Sequence, residues 1–272
     1  MATSFLVCTL NDLIIRDERA FRSVPLYAAL KGEVHRRRLR FRVLPKGGRW
    51  DRALLLNLTF WGDGGGDVLV SRHIAADVVA HVAWHSVAAR GLVRAGARPS
   101  ADALLFGEAV ASAFDLYLVG TLLAQRQRSS FLETHVAAMA EVAADAGLGA
   151  RQFRKLLASV AADPALCFEE LRALLFDVST GLLACATASS AQTLLSSFDG
   201  DKHRFAPLLP QYALSTWVLY ARAFAPRALK PQRAVRAVDA ALRARPSSSL
   251  AWLAARWLTP AATSPVTRAL TR

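Results

Sequence analysis

The sequence predicts a mainly α-helical protein with a small N-terminal β-sheet. Two observations carry this. From His73 onward apolar residues recur at helical spacing almost to the end of the chain, whereas residues 1–72 hold short apolar runs bounded by Gly and Pro. Alanine and leucine dominate, with 53% apolar and 20% charged residues in 272, a composition that builds a packed core. The expected organisation is one domain over 1–260, followed by a loose tail over 261–272. Within it, 1–72 form a mixed α/β segment, 73–125 a helix hairpin and 126–260 a helical region.

In the mixed segment, Phe41 to Leu44 and Arg52 to Trp61 read as strand-like runs. They are delimited by Pro45-Lys46-Gly47-Gly48 and by the glycine-rich turn Gly62 to Gly66. Asp67 to Val70 reads as a further strand leading into a long helix. Helices are expected at 73–94, 101–125, 130–146, 150–161, 166–197, 208–224, 231–244 and 248–258. Pro99-Ser100 and Asp163-Pro164 supply cap and first-turn chemistry for two of them. Ala173 to Phe198 carries Asp177 as its sole charge, yet its many Ser and Thr residues fit a buried helix better than a membrane span. Ala234, Val238, Ala241, Pro246 and Trp252 fall near tetratricopeptide spacing, but a single copy reads as an ordinary helical hairpin.

Composition narrows the function classes. The formal charge of +13 attracts phosphate or an anionic surface, but the arginines are scattered along the chain. The densest run, His35 to Arg42, ends in alternating apolar and basic residues like a strand with one solvated face. No zinc-finger, homeodomain or RNA-recognition signature accompanies it, so nucleic acid is not the favoured partner. Cys8, Cys167 and Cys185 are odd in number and lack CxxC spacing, so neither a disulfide framework nor a cysteine zinc site is implied. The N-terminus shows no basic leader or cleavage signal, so a cytoplasmic protein without a membrane span is expected.

Chemistry concentrates in residues 73 to 120. His73, Asp77, His81 and His85 follow one another at intervals of four and stack along one face of a helix. Apolar Ile74, Val78, Val79, Val82 and Trp84 between them predict burial. On the next helix Glu108, Ser112 and Asp115 share a face. An antiparallel hairpin turning near residue 97 sets His85 against Glu108, His81 against Ser112 and Asp77 near Asp115.

Two imidazoles at i and i+4 can reach one tetrahedral ion, and a carboxylate from the neighbouring helix completes a three-ligand site with one open position. His81, His85 and Glu108 form that set. This stretch resembles the zincin metallopeptidases of the gluzincin type, in which a His-Glu-x-x-His helix is followed by a glutamate ligand on the next helix. The resemblance spans about fifty residues and implies a zincin-like α+β core at 40–125. It also implies a bound zinc and hydrolysis of a peptide or protein. By position, His81, His85 and Glu108 match the metal ligands, and Asp77 or Asp115 takes the catalytic or ligand-orienting carboxylate role.

The sequence departs from the family at one decisive place. Val82 stands where the family carries the glutamate base, which ordinarily contributes about 10²- to 10⁴-fold to rate. Other readings of the cluster stay open. Asp77, His81, His85, Glu108 and Asp115, joined by Glu133 or His135, are numerous enough for a two-iron or two-manganese site in a helical oxygenase. A metal-free polar network is another, and so is a non-enzymatic helical interaction protein that offers its basic surface to an acidic partner. Glu169, Glu170 and Asp177 near Arg172 read as solvated ion pairs.

Overall fold

The computed structural model describes residues 5–59, 65–93, 97–198, 203–225 and 232–258. It is mainly helical with two small sheets near the N-terminus. Strand β1 (Leu6–Cys8) pairs antiparallel with β3 (Arg40–Val43), which pairs in parallel with β4 (Gly65–Leu69). A separate parallel pair joins β2 (Ile14–Arg16) to β5 (His73–Ala75). Strand β3 alternates as its sequence suggests, with Phe41 and Val43 buried and Arg40 exposed.

Helices α1 (Glu18–Phe21) and α2 (Tyr27–Arg36) lie between the strands and send Phe21, Tyr27, Leu30 and Val34 into the core. The arginine run is partly committed to structure. Arg36, Arg37 and Arg90 all pair with Glu33, whose side chain is buried.

Two expectations in this half are corrected. Residues 52–61 were expected as strand, but Trp50–Thr59 form helix α3. Its apolar run turns Ala53 onto Leu44 and Val68 in a small core of its own, and the side chain of Asn57 hydrogen-bonds both N–H and C=O of Val68. Phe60, Trp61 and most of the expected glycine turn lie outside the described residues. The second correction concerns His73, which belongs to strand β5 and not to the following helix. Its backbone pairs with Ile14, while its exposed ring contacts Ser71 at 3.2 Å. β-Bridge formation with a distant segment overrides the helical spacing there.

Helix α4 (Ala76–Leu92) then packs antiparallel to α5 (Ala101–Ala124). Ser100 caps α5 by accepting from Ala103 N. Apart from the Glu108, Ser112 and Asp115 face, helix α5 is largely apolar, as suits a central helix. It is long and apolar enough to cross a membrane by length and composition, and 89% of the relevant window is buried by the rest of the chain. Around it lie α6 (Ser130–Asp145), α7 (Ala150–Ala162) and α8 (Pro164–Ala184). Asp163 caps α8 ahead of Pro164 at its first position.

The single helix expected over 166–197 is two helices, α8 and α9 (Ala188–Ser197). Cys185 turns to extended backbone and Thr187 caps a new start by accepting from Ser190 N, so local side-chain hydrogen bonding breaks the run. Residues 206–211 form a 3-10 turn ahead of α10 (Leu214–Phe224). A hairpin of α11 (Arg233–Arg243) and α12 (Ser249–Trp257) closes the described chain. The expected tail over 261–272 lies outside the described residues.

The ion pairs on α8 are also a correction. Arg172 has no exposed surface, Glu169 is almost fully buried and accepts from it, and Arg172 also anchors α11 by donating to Asp239 at 2.8 Å. Only the outer pairs, Glu170 with Arg204 and Asp177 with Arg243, are solvated as expected.

Candidate metal centre

The antiparallel pairing of α4 and α5 brings the expected residues together. His85 Nε2 lies 3.6 Å from Glu108 Oε2, the opposition the hairpin register predicts. His81 sits one turn earlier, with its ring 4.9 Å from that of His85. Ligand-capable atoms of His81, His85 and Glu108 all fall within 4.8 Å of one another. Tetrahedral zinc with bonds of about 2.0–2.1 Å places neighbouring donors roughly 3.3 Å apart, so small side-chain rotations close the set.

The register differs for His81. It was expected against Ser112, but its Nδ1 meets Asp115 Oδ2 at 3.1 Å. That bond occupies Nδ1 and leaves Nε2 as the nitrogen able to bind a metal, the arrangement by which a carboxylate fixes a ligand imidazole. Asp77, one turn before His81, feels the charges of Asp115 and His81. Among the described residues the metal-capable group is His81, His85 and Glu108; Glu133 lies exposed on the first turn of α6 and is not part of it.

The electrostatics are those of charges held out of water. Burial opposes a charge on His81, but the Asp115 carboxylate, by attraction and hydrogen bond, outweighs it and pushes the imidazole up to about 9. Burial and the neighbouring His81 hold His85 down to about 3, so its ring is neutral. Burial lifts Glu108 to about 7 and, with Asp115, lifts Asp77 to about 6. Glu108 Oε1 and Asp115 Oδ1 are buried without a hydrogen-bond partner among the described residues. Buried carboxylate oxygens are rarely left unmatched, and a cation held by Glu108 would match that group's carboxylate. The donor set therefore fits a transition metal.

Three further residues surround the centre. Asp67, in the middle of the edge strand β4, reaches His81 and Glu108 electrostatically and is itself held toward its neutral form by burial. His135, stacked on Phe131 and 3.2 Å from Gln211 Nε2, feels Asp115 and His81. Tyr212 is partly buried within reach of the Asp115 charge. Sequence spacing pointed to His135 only as a supplementary ligand and gave no sign of Asp67 or Tyr212. These two come from a strand and a 3-10 turn far from the hairpin in sequence.

Val82 is buried with the core residues of α4, so no carboxylate stands beside His81 at that position. The cysteines offer no alternative chemistry. All three are free, and burial pushes the Cys167 thiol up to about 11 despite Arg204 Nη2 at 3.2 Å.

No family model matches the chain, and no curated protein or solved structure is similar to it.

Proposed function

We propose that this chain binds one transition-metal ion through His81, His85 and Glu108, and that it is a divergent relative of the zinc metallopeptidases. The observation that carries the reading is the convergence of three ligand-type atoms within 4.8 Å on adjacent helices, with Asp115 already hydrogen-bonded to His81. Two imidazoles and one carboxylate suit zinc, and the same donors accept iron or manganese. Bound there, zinc would supply Lewis acidity toward a carbonyl and toward a water at its open position.

The chain's own residues take defined parts in this reading. Asp115 is the positioning residue, fixing which nitrogen His81 turns to the metal. Glu108 neutralises the ion's charge inside a dry site. Asp77, one turn before His81 on α4, is the carboxylate this reading offers in place of the glutamate that Val82 displaces. The reaction class is hydrolysis of an amide-like bond in a peptide or protein, slower than in relatives that keep the glutamate.

Cobalt(II), a spectroscopic stand-in for zinc, tests the reading. Titrating the metal-free protein is expected to produce the visible bands of a low-coordinate cobalt site, saturating at one equivalent and erased by zinc. His85→Ala and Glu108→Ala should each remove the bands. A wild-type protein that stays colourless at excess cobalt overturns the proposal.

A further inference from the structure

Helix α9 poses a problem of its own: it buries none of its residues. A helix of this length gains most of its stability from packing an apolar face, so a helix that leaves Ala191 and Leu195 half-open lacks a partner on that side among the described residues. Its apolar side faces a groove of about 900 Å³, with Val218 and Leu219 of α10 opposite and Tyr212 at one wall. Leu219 is 65% exposed there, a large cost for an aliphatic side chain to bear in water. The volume falls within the range of small-molecule sites, about 300–1,000 Å³.

The wall carries one charge. Among the described residues lining the groove, Arg222 is the sole ionised side chain, and no carboxylate accompanies it. Its Nη2 donates to the carbonyls of Leu183 and Cys185 at 3.0 and 2.7 Å, which fixes the guanidinium at the end of α8. Its remaining N–H groups have no protein acceptor among the described residues. A long apolar trough with one anchored cation matches a single-chain amphiphile with an anionic head. It matches neither a cation nor a polyanion.

We infer that the groove between α9 and α10 binds a fatty-acid-like ligand, its hydrocarbon chain against Ala191, Leu195, Val218 and Leu219 and its carboxylate at Arg222. The groove contains none of the three metal-ligating residues and touches the metal centre's surroundings only through Tyr212.

Dansyl-undecanoate, which brightens in an apolar site, and hexadecanoate as its competitor test the inference on the full metal-free chain. One equivalent of probe should bind and be displaced by hexadecanoate. Ala191→Trp fills the trough from a helix that buries nothing, so it should fold normally and lose probe binding. Arg222→Met should weaken the carboxylate probe about tenfold, the loss expected for a charge-assisted hydrogen bond, and leave its neutral amide analogue unchanged. Arg222→Lys should recover part of the loss. No probe binding, or equal binding by wild type and Ala191→Trp, overturns the site. Equal affinity for carboxylate and amide in wild type overturns the assignment of the ligand. A loss of cobalt binding with intact probe binding would count against the metal centre alone.

Discussion

His81 Nδ1 and Asp115 Oδ2 stand 3.1 Å apart, and this contact decides which imidazole nitrogen is available to a metal. Asp115→Asn keeps the shape of the carboxylate but removes its charge. The expected effect is a loss of metal affinity of about 10- to 100-fold with little change in folding, read by competition with a chromophoric chelator. Unchanged affinity would show that Asp115 does not orient the ligand.

The hairpin that carries this contact was legible in the sequence, because four-residue spacing needs only the helix period. Ser100 marked the start of α5, and the antiparallel register placed His85 opposite Glu108. One turn further the same register failed, putting His81 against Ser112 when it meets Asp115. Helix crossing and side-chain reach, which a linear count ignores, decide that pairing. His73 was misplaced because its structure depends on pairing with Ile14, and α3 was misread because a short apolar run fits strand and helix equally. Asp67 and Tyr212 could not be found from local pattern, since tertiary packing alone brings them near Asp115 and His81.

The buried guanidinium of Arg172 donates to both oxygens of Glu169 at 2.8 and 2.7 Å and lies 5.1 Å from the Phe106 ring centroid. Glu169→Ala strands most of that charge in the core. A cost of about 3 kcal/mol in urea denaturation is expected. Replacing both residues with methionine should restore much of it, because the desolvated charge disappears with its partner. A single mutant as stable as wild type would contradict the burial of the pair.

Gly120 lets α5 approach α7 and α8. A Cβ there would lie 2.4 Å from the carbonyl oxygen of Val160 and 3.1 Å from Pro164 Cβ. Backbone cannot swing aside as a flexible side chain can, so Gly120→Ala should destabilise by about 1–3 kcal/mol despite the higher helix propensity of alanine. Thermal unfolding checks this, and a stabilised variant would refute the close approach.

Asp17 ties the N-terminal segment to α6, accepting from Ser130 N at 2.6 Å and from Ser130 Oγ at 2.5 Å. These bonds hold its carboxyl below the ordinary value of 3.8. A folded value below the unfolded one contributes stability above the unfolded value, which is lost as pH falls through the folded one. The stability difference between wild type and Asp17→Ala should therefore be full at neutral pH and narrow progressively in acid below about 3.8. A difference that widens in acid would reverse the sign and contradict the contact.

The metal content of the purified protein after dialysis against zinc tests the central claim most directly. The account predicts one equivalent of tightly held zinc in the wild type, and none in a His81→Ala variant that keeps its helical circular dichroism. A wild-type protein holding less than about 0.1 equivalent of zinc, iron or manganese would contradict it, since a site of three convergent ligands must retain its ion.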